Sequence, residues 1–395
     1  MVARVMSSTD CATAARSRSA RSAKCRCSVL LLTCASAAMS ARLASDVAEL
    51  TMADRERYRG INYDTGTDYV PDGHSRQDWS RQVMREDIAV IRDGLHCNAV
   101  NVFGSHPEHI AECAELAAAK GLAVWVQPRP VDLQDAQAFA MIAEVADIAE
   151  SLSAGGADVR LNVGCEFSLF APGIVPGRDY RARARALYVL WPAMPLLNRL
   201  LNRYLRRVVS IARDHYSGEI TYGSGFWEGV DWSGFDHVGV NLYRDSYNAG
   251  RFASMVADLH RHGKPVLITE FGCCGYPGAE RRGAGGDSVV DWRDPSAPRL
   301  RGDHPRDEAV QQRYIAELLD LFAASGVAGV FPFEFSEPTY PRSDDPRFDI
   351  DVASFGLLAA VPNGAKHGRP YELVPKAAFH EVARRFEAAG SSPPR

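Results

Sequence analysis

Lysine is scarce. The 395-residue chain has Lys24, Lys120, Lys264, Lys366 and Lys376 and no others. A Schiff-base aldolase or related lyase on a barrel needs a lysine at the end of a strand. None of the five stands there, and Lys120 and Lys264 precede strand-like runs. No run of about 18 apolar residues occurs, so no integral membrane segment is expected. The first strand-like run, Gly60–Tyr63, carries no Gly-rich phosphate turn, and no G-x-x-x-x-G-K-[ST] loop occurs. His106-x-x-His109 and His260-x-His262 lack a third ligand at zinc spacing, so no metal is expected, nor any cofactor.

What is present describes a protein with a real core: 46% of residues are apolar and 24% charged. The formal net charge is −4. Residues 1–51 carry seven Lys/Arg against Asp10, Asp46 and Glu49, a net of +4, which leaves −8 for the body. An acidic body repels phosphates and argues against a nucleic-acid partner. Residues 1–51 read as a disordered basic leader, with Met52 as a natural-looking start. Their apolar stretch, Val29–Leu32, is short for a signal peptide. Four of nine cysteines lie in the leader; Cys97, Cys113, Cys165, Cys273 and Cys274 remain. An odd, irregular set is a poor disulfide framework and suits a reducing, cytoplasmic setting; a functional signal peptide would mean secretion instead.

Residues 52–395 read as one domain. Eight strand-like runs alternate with helical patterns: Gly60–Tyr63, Ala99–Phe103, Leu122–Gln127, Val159–Val163, Ile220–Gly223, His237–Asn241, Pro265–Thr269 and Val327–Phe333. Helices are expected over about Ser80–Asp93, Ile110–Ala119, a long stretch to Leu152, Leu196–His215, Phe252–Arg261, Glu308–Ala324 and Lys376–Ala388. Alternation of this kind implies a parallel sheet, and eight units fit an α/β fold closed as a (β/α)8 TIM barrel.

A barrel places its reactive residues just past the C-terminal strand ends. Two runs end in carboxylates: Leu161-Asn-Val-Gly-Cys-Glu166 and Val266-Leu-Ile-Thr-Glu270. Strands four and seven face each other across the mouth, and two opposed carboxylates are the minimum for cleaving a glycosidic bond. The other strand ends offer Asn62, Tyr63, Gln127, Arg129, Cys165, Trp227, Asn241, Tyr243 and Glu334. Glu228, Glu334 and Glu337 read equally as rim acids. Trp125, Trp227, Phe167 and Phe335 are candidate platforms for sugar rings.

These strand ends resemble the clan A retaining glycoside hydrolases. Thr269-Glu270-Phe271-Gly272 resembles the nucleophile motif and Val163-Gly164-Cys165-Glu166 the acid/base motif. Asp236-His-Val-Gly-Val-Asn241-Leu-Tyr243 resembles the sixth strand. Gly60-Ile-Asn-Tyr63 and the Gly-x-Glu motif look most like endo-β-mannanases. The resemblance implies a carbohydrate substrate, Glu166 as acid/base, Glu270 as nucleophile and Tyr243 bonded to it. It implies substrate contacts from Asn62, Tyr63, Gln127, Arg129, Cys165, Trp227, Asn241 and Glu334. A cation, Arg129 or Arg244, would keep Glu270 ionised. The carboxyls of a retaining enzyme stand roughly 5–5.5 Å apart. Two positions depart from the pattern: Cys165 replaces an Asn, and Phe333-Glu334-Phe335 replaces a Trp. A non-catalytic carbohydrate-binding barrel is therefore an alternative, as is a barrel lyase or isomerase.

An insertion over residues 170–198 follows the fourth strand. It has a turn-rich entry, then Arg178, Arg181, Arg183 and Arg185, then apolar Leu187–Leu197. It reads as a helix packed on the barrel, as a lid, or as a membrane-surface segment.

Overall fold

The computed structural model describes residues 57–70, 73–76, 78–366 and 369–390. The leader expected at 1–51 lies outside them. Eight parallel strands form the barrel. Strand β1 has two pieces, Tyr58–Arg59 and Asn62–Asp64. It is followed by β2 (Ala99–Gly104), β3 (Ala123–Pro128), β4 (Val159–Cys165) and β5 (Ile220–Gly225). The ring continues through β6 (Val238–Asn241), β7 (Val266–Phe271) and β8 (Gly329–Pro332). The first piece of β1 pairs with β8 and the second with β2, which closes the ring. The interruption falls at Gly60, where a Cβ would lie 2.2 Å from the Phe331 ring.

Outside the ring run α1 (Arg81–Ala89), α2 (Pro107–Ala119), α3 (Asp135–Ala154), α4 (Tyr180–Leu190), α5 (Met194–His215), α6 (Phe252–Leu259), α7 (Glu308–Ser325) and α8 (Ala377–Gly390). The first expected helix ends early: α1 passes into a π-helical turn, Val90–Gly94. Three helix starts are fixed by side-chain caps. Ser80 accepts from the Val83 amide, Asp179 from Ala182 and Asp307 from Ala309, each satisfying an otherwise orphaned donor. A three-stranded sheet absent from the sequence expectation follows β8: β9 (Ser336–Pro341), β10 (Leu358–Lys366) and β11 (Arg369–Pro375).

The strands are apolar on both faces, as a covered parallel sheet requires. Outward residues such as Val159, Leu161 and Val163 join the main core beneath the helices. Inward residues fall in three tiers. The bottom tier is apolar, with Ala99, Ala123, Trp125, Leu267 and Phe331 packed together. The middle tier is a net of amides. Asn101 Nδ2 donates to Asn62 Oδ1 at 2.7 Å and to Gln127 Oε1 at 2.6 Å, and Asn162 Nδ2 reaches the same Gln127 oxygen at 3.2 Å. The top tier, at the C-terminal ends, is charged.

Candidate active site

Each of the two strands carries an extra residue that resets side-chain direction near its tip, at Glu270 on β7 and at Cys165 on β4. On β7, Ile268 lies opposite Val240 but Glu270 lies opposite Asn241, two steps against one. Strict alternation would turn Glu270 outward with Ile268, because side chains on a strand repeat every second residue. The bulge resets it toward the barrel axis. On β4, Asn162 lies opposite Thr221 and Cys165 opposite Gly223, three steps against two. Gly164 occupies this bulge at φ +139°, and a Cβ there would lie 2.5 Å from the Phe167 ring. Both facts require glycine. Glu166 follows at φ +44°, an uncommon conformation for a residue with a side chain. Its amide donates to the Gly223 carbonyl at 2.9 Å, which pins it.

The two groups have different partners. Arg129 Nη2 donates to Glu270 Oε1 at 2.7 Å, and the Tyr243 hydroxyl donates to Oε2 at 3.3 Å. Burial pushes the Glu270 carboxyl up, and Arg129 and Tyr243 act against that push. Glu166 accepts from Asn241 Nδ2 at 3.1 Å and has no cation beside it. Burial, then repulsion from Glu270 and Glu228, raises it to about 8. Asn241 also acts to lower the Glu270 carboxyl, so one side chain bears on both groups. Thr269 Oγ1 donates to Asn241 Oδ1 at 2.8 Å and fixes that amide's orientation.

Arg129 is itself held from both sides. Its guanidinium carbon stands 3.9 Å over the Phe103 ring, and Nη1 donates to the Tyr69 hydroxyl at 2.8 Å. Tyr69 escaped the sequence reading because it lies several residues beyond β1, in a short extended segment, Asp68–Val70. Arg244 serves elsewhere, paired with Glu317 at 2.6 Å. Trp227 is half-buried at the rim, with its indole donating to Ser168 Oγ at 2.9 Å. Cys165 is buried against Val131 and Phe170.

Other expected contacts are placed away from the mouth. Tyr63 follows inward Asn62 and so faces outward, where its hydroxyl donates to Asp87 at 2.8 Å. Asn62 donates to the Thr269 and Phe331 carbonyls at 2.8 and 3.0 Å and is spent in the middle tier, where Gln127 uses its Oε1 but leaves Nε2 without a partner among the described residues. Trp125 fills the barrel bottom, Phe167 stacks on Tyr222, and Phe335 packs on Tyr63. None of these three rings is free to carry a sugar. The rim acids are more enclosed than expected. Glu228 is buried and accepts from the Ser168 and Gly225 amides and the Tyr222 hydroxyl, a knot that shapes the loops beside Glu166. Glu337 accepts from the Phe355 amide at 2.6 Å and is raised to about 7, chiefly by burial. Glu334 is buried, and its Oε2 has no hydrogen-bond partner. Burial, then repulsion from Glu337 and Asp64, raises its carboxyl well above the usual range.

The histidine pairs do not form a site together. His109 stacks on Trp79 at 3.9 Å, while His106 approaches Asp68 and His74 instead, with polar atoms within 4.8 Å of one another. The five described cysteines are free thiols, all buried.

No protein-family model matches the chain, and no curated protein matches it. Solved structures do. A structure described as a complex of a GH113 β-1,4-mannanase aligns with a TM-score of 0.53 at 15% identity, covering 84% of this chain and 99% of that one. The β-glycosidase BGL167 aligns with a TM-score of 0.50 at 11% identity, covering 86% of this chain and 98% of that one. Identities this low speak to architecture, and the architecture is shared over nearly the whole of both relatives. The chain has the (β/α)8 barrel fold of these two glycoside-cleaving enzymes.

Proposed function

We propose that the protein is a retaining glycoside hydrolase with Glu166 as acid/base and Glu270 as nucleophile. The observation that carries this reading is the unequal setting of the two carboxyls. Glu270 has a cation at 2.7 Å, whereas Glu166 is raised to about 8 with none. Environments that separate two carboxyls in this way assign one as acid and the other as nucleophile.

In the first step Glu166 gives its proton to the glycosidic oxygen. Glu270 attacks the anomeric carbon as that C–O bond breaks, leaving a glycosyl ester on Glu270. Glu166, now ionised, takes a proton from water. The hydroxide attacks the same carbon and the ester breaks, restoring both carboxyls. Tyr243 and Arg129 steady the Glu270 charge before attack and after release. Glu334, whose carboxyl burial pushes well above the usual range, offers an unpartnered oxygen to a sugar hydroxyl. Trp227 offers an aromatic face.

The test is a 2-deoxy-2-fluoro glycoside with a dinitrophenolate leaving group, beginning with the β-mannoside because a β-1,4-mannanase shares the fold. Peptide mapping should find the adduct on Glu270. An adduct on another residue refutes the nucleophile assignment, and no turnover across a panel of glycosides refutes the reading.

A further inference from the structure

The insertion after β4 is not explained by the chemistry at the mouth. Its root is firmly tied. Arg183 is fully buried and donates to the Gly177 carbonyl at 3.3 Å and to the Leu169 carbonyl and Asp132 at closer range. Tyr180 packs on Tyr69 with ring centroids 6.0 Å apart, so the start of α4 stands at the edge of the mouth. Beyond that root the segment changes character. At the corner where α4 passes through the single turn Trp191–Ala193 into α5, large apolar side chains project into solvent. Tyr188 is 88% exposed, Val189 79%, Trp191 56% and Leu196 57%. These are the largest exposures of apolar side chains among the described residues apart from Tyr247.

The segment is rich in arginine. Residues 178–215 hold nine arginines and two acids, Asp179 and Asp214. Of the nine, Arg183 is buried in the root and Arg213 pairs with Asp236 at the far end of α5. That surplus stands on a body whose net charge is negative. Arg185, Arg199 and Arg203 are exposed and make no ion pair among the described residues. Leu196, Arg199, Leu200 and Arg203 share one face of α5 by their three- and four-residue spacing. The face therefore alternates apolar and cationic groups, all unpartnered.

We infer that this corner docks the protein on an anionic lipid surface. Trp191, Tyr188, Val189 and Leu196 enter the boundary between headgroups and acyl chains, while Arg185, Arg199 and Arg203 meet lipid phosphates. An aromatic and aliphatic tip ringed by arginines matches both layers of a bilayer surface. A second copy of the chain fits worse, because a two-fold interface would set each arginine cluster against its own image. A polyanion such as nucleic acid would neutralise the arginines and leave the apolar tip in water. No helix among the described residues is long and apolar enough to cross a membrane, so the contact is peripheral. In the barrel, α5 runs back to the start of β5, so its first turn lies at the mouth end. Docking thus brings the open end of the barrel to the lipid.

Flotation of the full chain with vesicles tests this. Vesicles of phosphatidylcholine doped with phosphatidylglycerol should carry the protein, pure phosphatidylcholine should not, and added salt should release it. The triple variant R185Q/R199Q/R203Q should lower partitioning on the order of a hundredfold, from about 1 kcal/mol per arginine near an anionic surface. W191S/L196S should lower it independently, with an unchanged melting temperature because both positions are exposed. Equal flotation of wild type and both variants would overturn the inference, since the basic leader present in all of them would then be the binder. So would absence of flotation with anionic vesicles, a lipid-free dimer abolished by W191S/L196S, or retention on an acidic protein column that lipid does not compete.

Discussion

Replacing Arg129 by Met removes the only cation that pairs with Glu270 among the described residues and keeps an apolar stem of similar length. The lost contact is a 2.7 Å charge-assisted bond between groups almost wholly removed from solvent. Stranding one member of a buried pair costs about 3–5 kcal/mol. Tyr243 and Asn241 still reach Glu270, so the lower end applies. At about 1.4 kcal/mol per pKa unit, roughly 3 kcal/mol raises the Glu270 carboxyl by about two units. Glu270 must be ionised to attack, so the acid limb of kcat/KM should move alkaline by that amount. At a fixed pH on that limb, activity should fall about a hundredfold. The alkaline limb, set by loss of the Glu166 proton, should move less, because Arg129 is the smallest of the influences acting on Glu166. The assay is the full pH profile with an activated aryl glycoside, alongside Arg129→Lys, which restores charge without the planar fork. An acid limb unmoved in Arg129→Met would refute the assignment of Glu270 as the group that must ionise.

Three further outcomes are expected. Glu166 and Glu337 titrate above an ordinary glutamate, so the native state keeps protons that the unfolded chain has released. Between about pH 4.3 and their native values, about 8 and about 7, each should therefore cost about 1.4 kcal/mol of stability per pH unit as pH rises. Denaturant titrations of Glu166→Gln and Glu337→Gln should show that slope reduced. Asn62→Leu should unfold at lower denaturant by about 3 kcal/mol, because it strands the Asn101 amide and three carbonyls; a change in KM with unchanged stability would return Asn62 to the sugar site. Arg183→Met should speed hydrogen exchange across residues 170–190 and cost about 2–4 kcal/mol, since several carbonyls and Asp132 lose their donor. Equal protection in that stretch would mean the insertion is held by packing alone.

Much of the ring was legible because a covered parallel strand is a short apolar run, and β3 or β7 cannot be mistaken for helix at that length. The helices α5 and α7 were legible from a three-to-four-residue period. What escaped was parity. Tyr63, Phe167 and Phe335 stand within a residue or two of site groups yet face the opposite side, and only their neighbours' direction reveals it. Trp125 lies on an inward position, but its height in the barrel depends on where β3 begins. The amide tier was hidden for a similar reason: Asn62 and Gln127 end short runs, so they resemble mouth residues while their partners come from other strands. The sheet β9–β11, whose last two strands form a local hairpin, lies in segments without a clear period.

The bulges on β4 and β7 have a consequence for change over time. Each inserts half a repeat between the packed body of its strand and the residue at its tip. The body must keep its outward residues in step with the helices. The tip, displaced by that half repeat, no longer shares the constraint. Residues at the two tips can thus be exchanged without disturbing which side chains meet the helical layer. The barrel behaves as two texts written on one thread, and the punctuation between them is Gly164 on one strand and the Thr269–Glu270 step on the other.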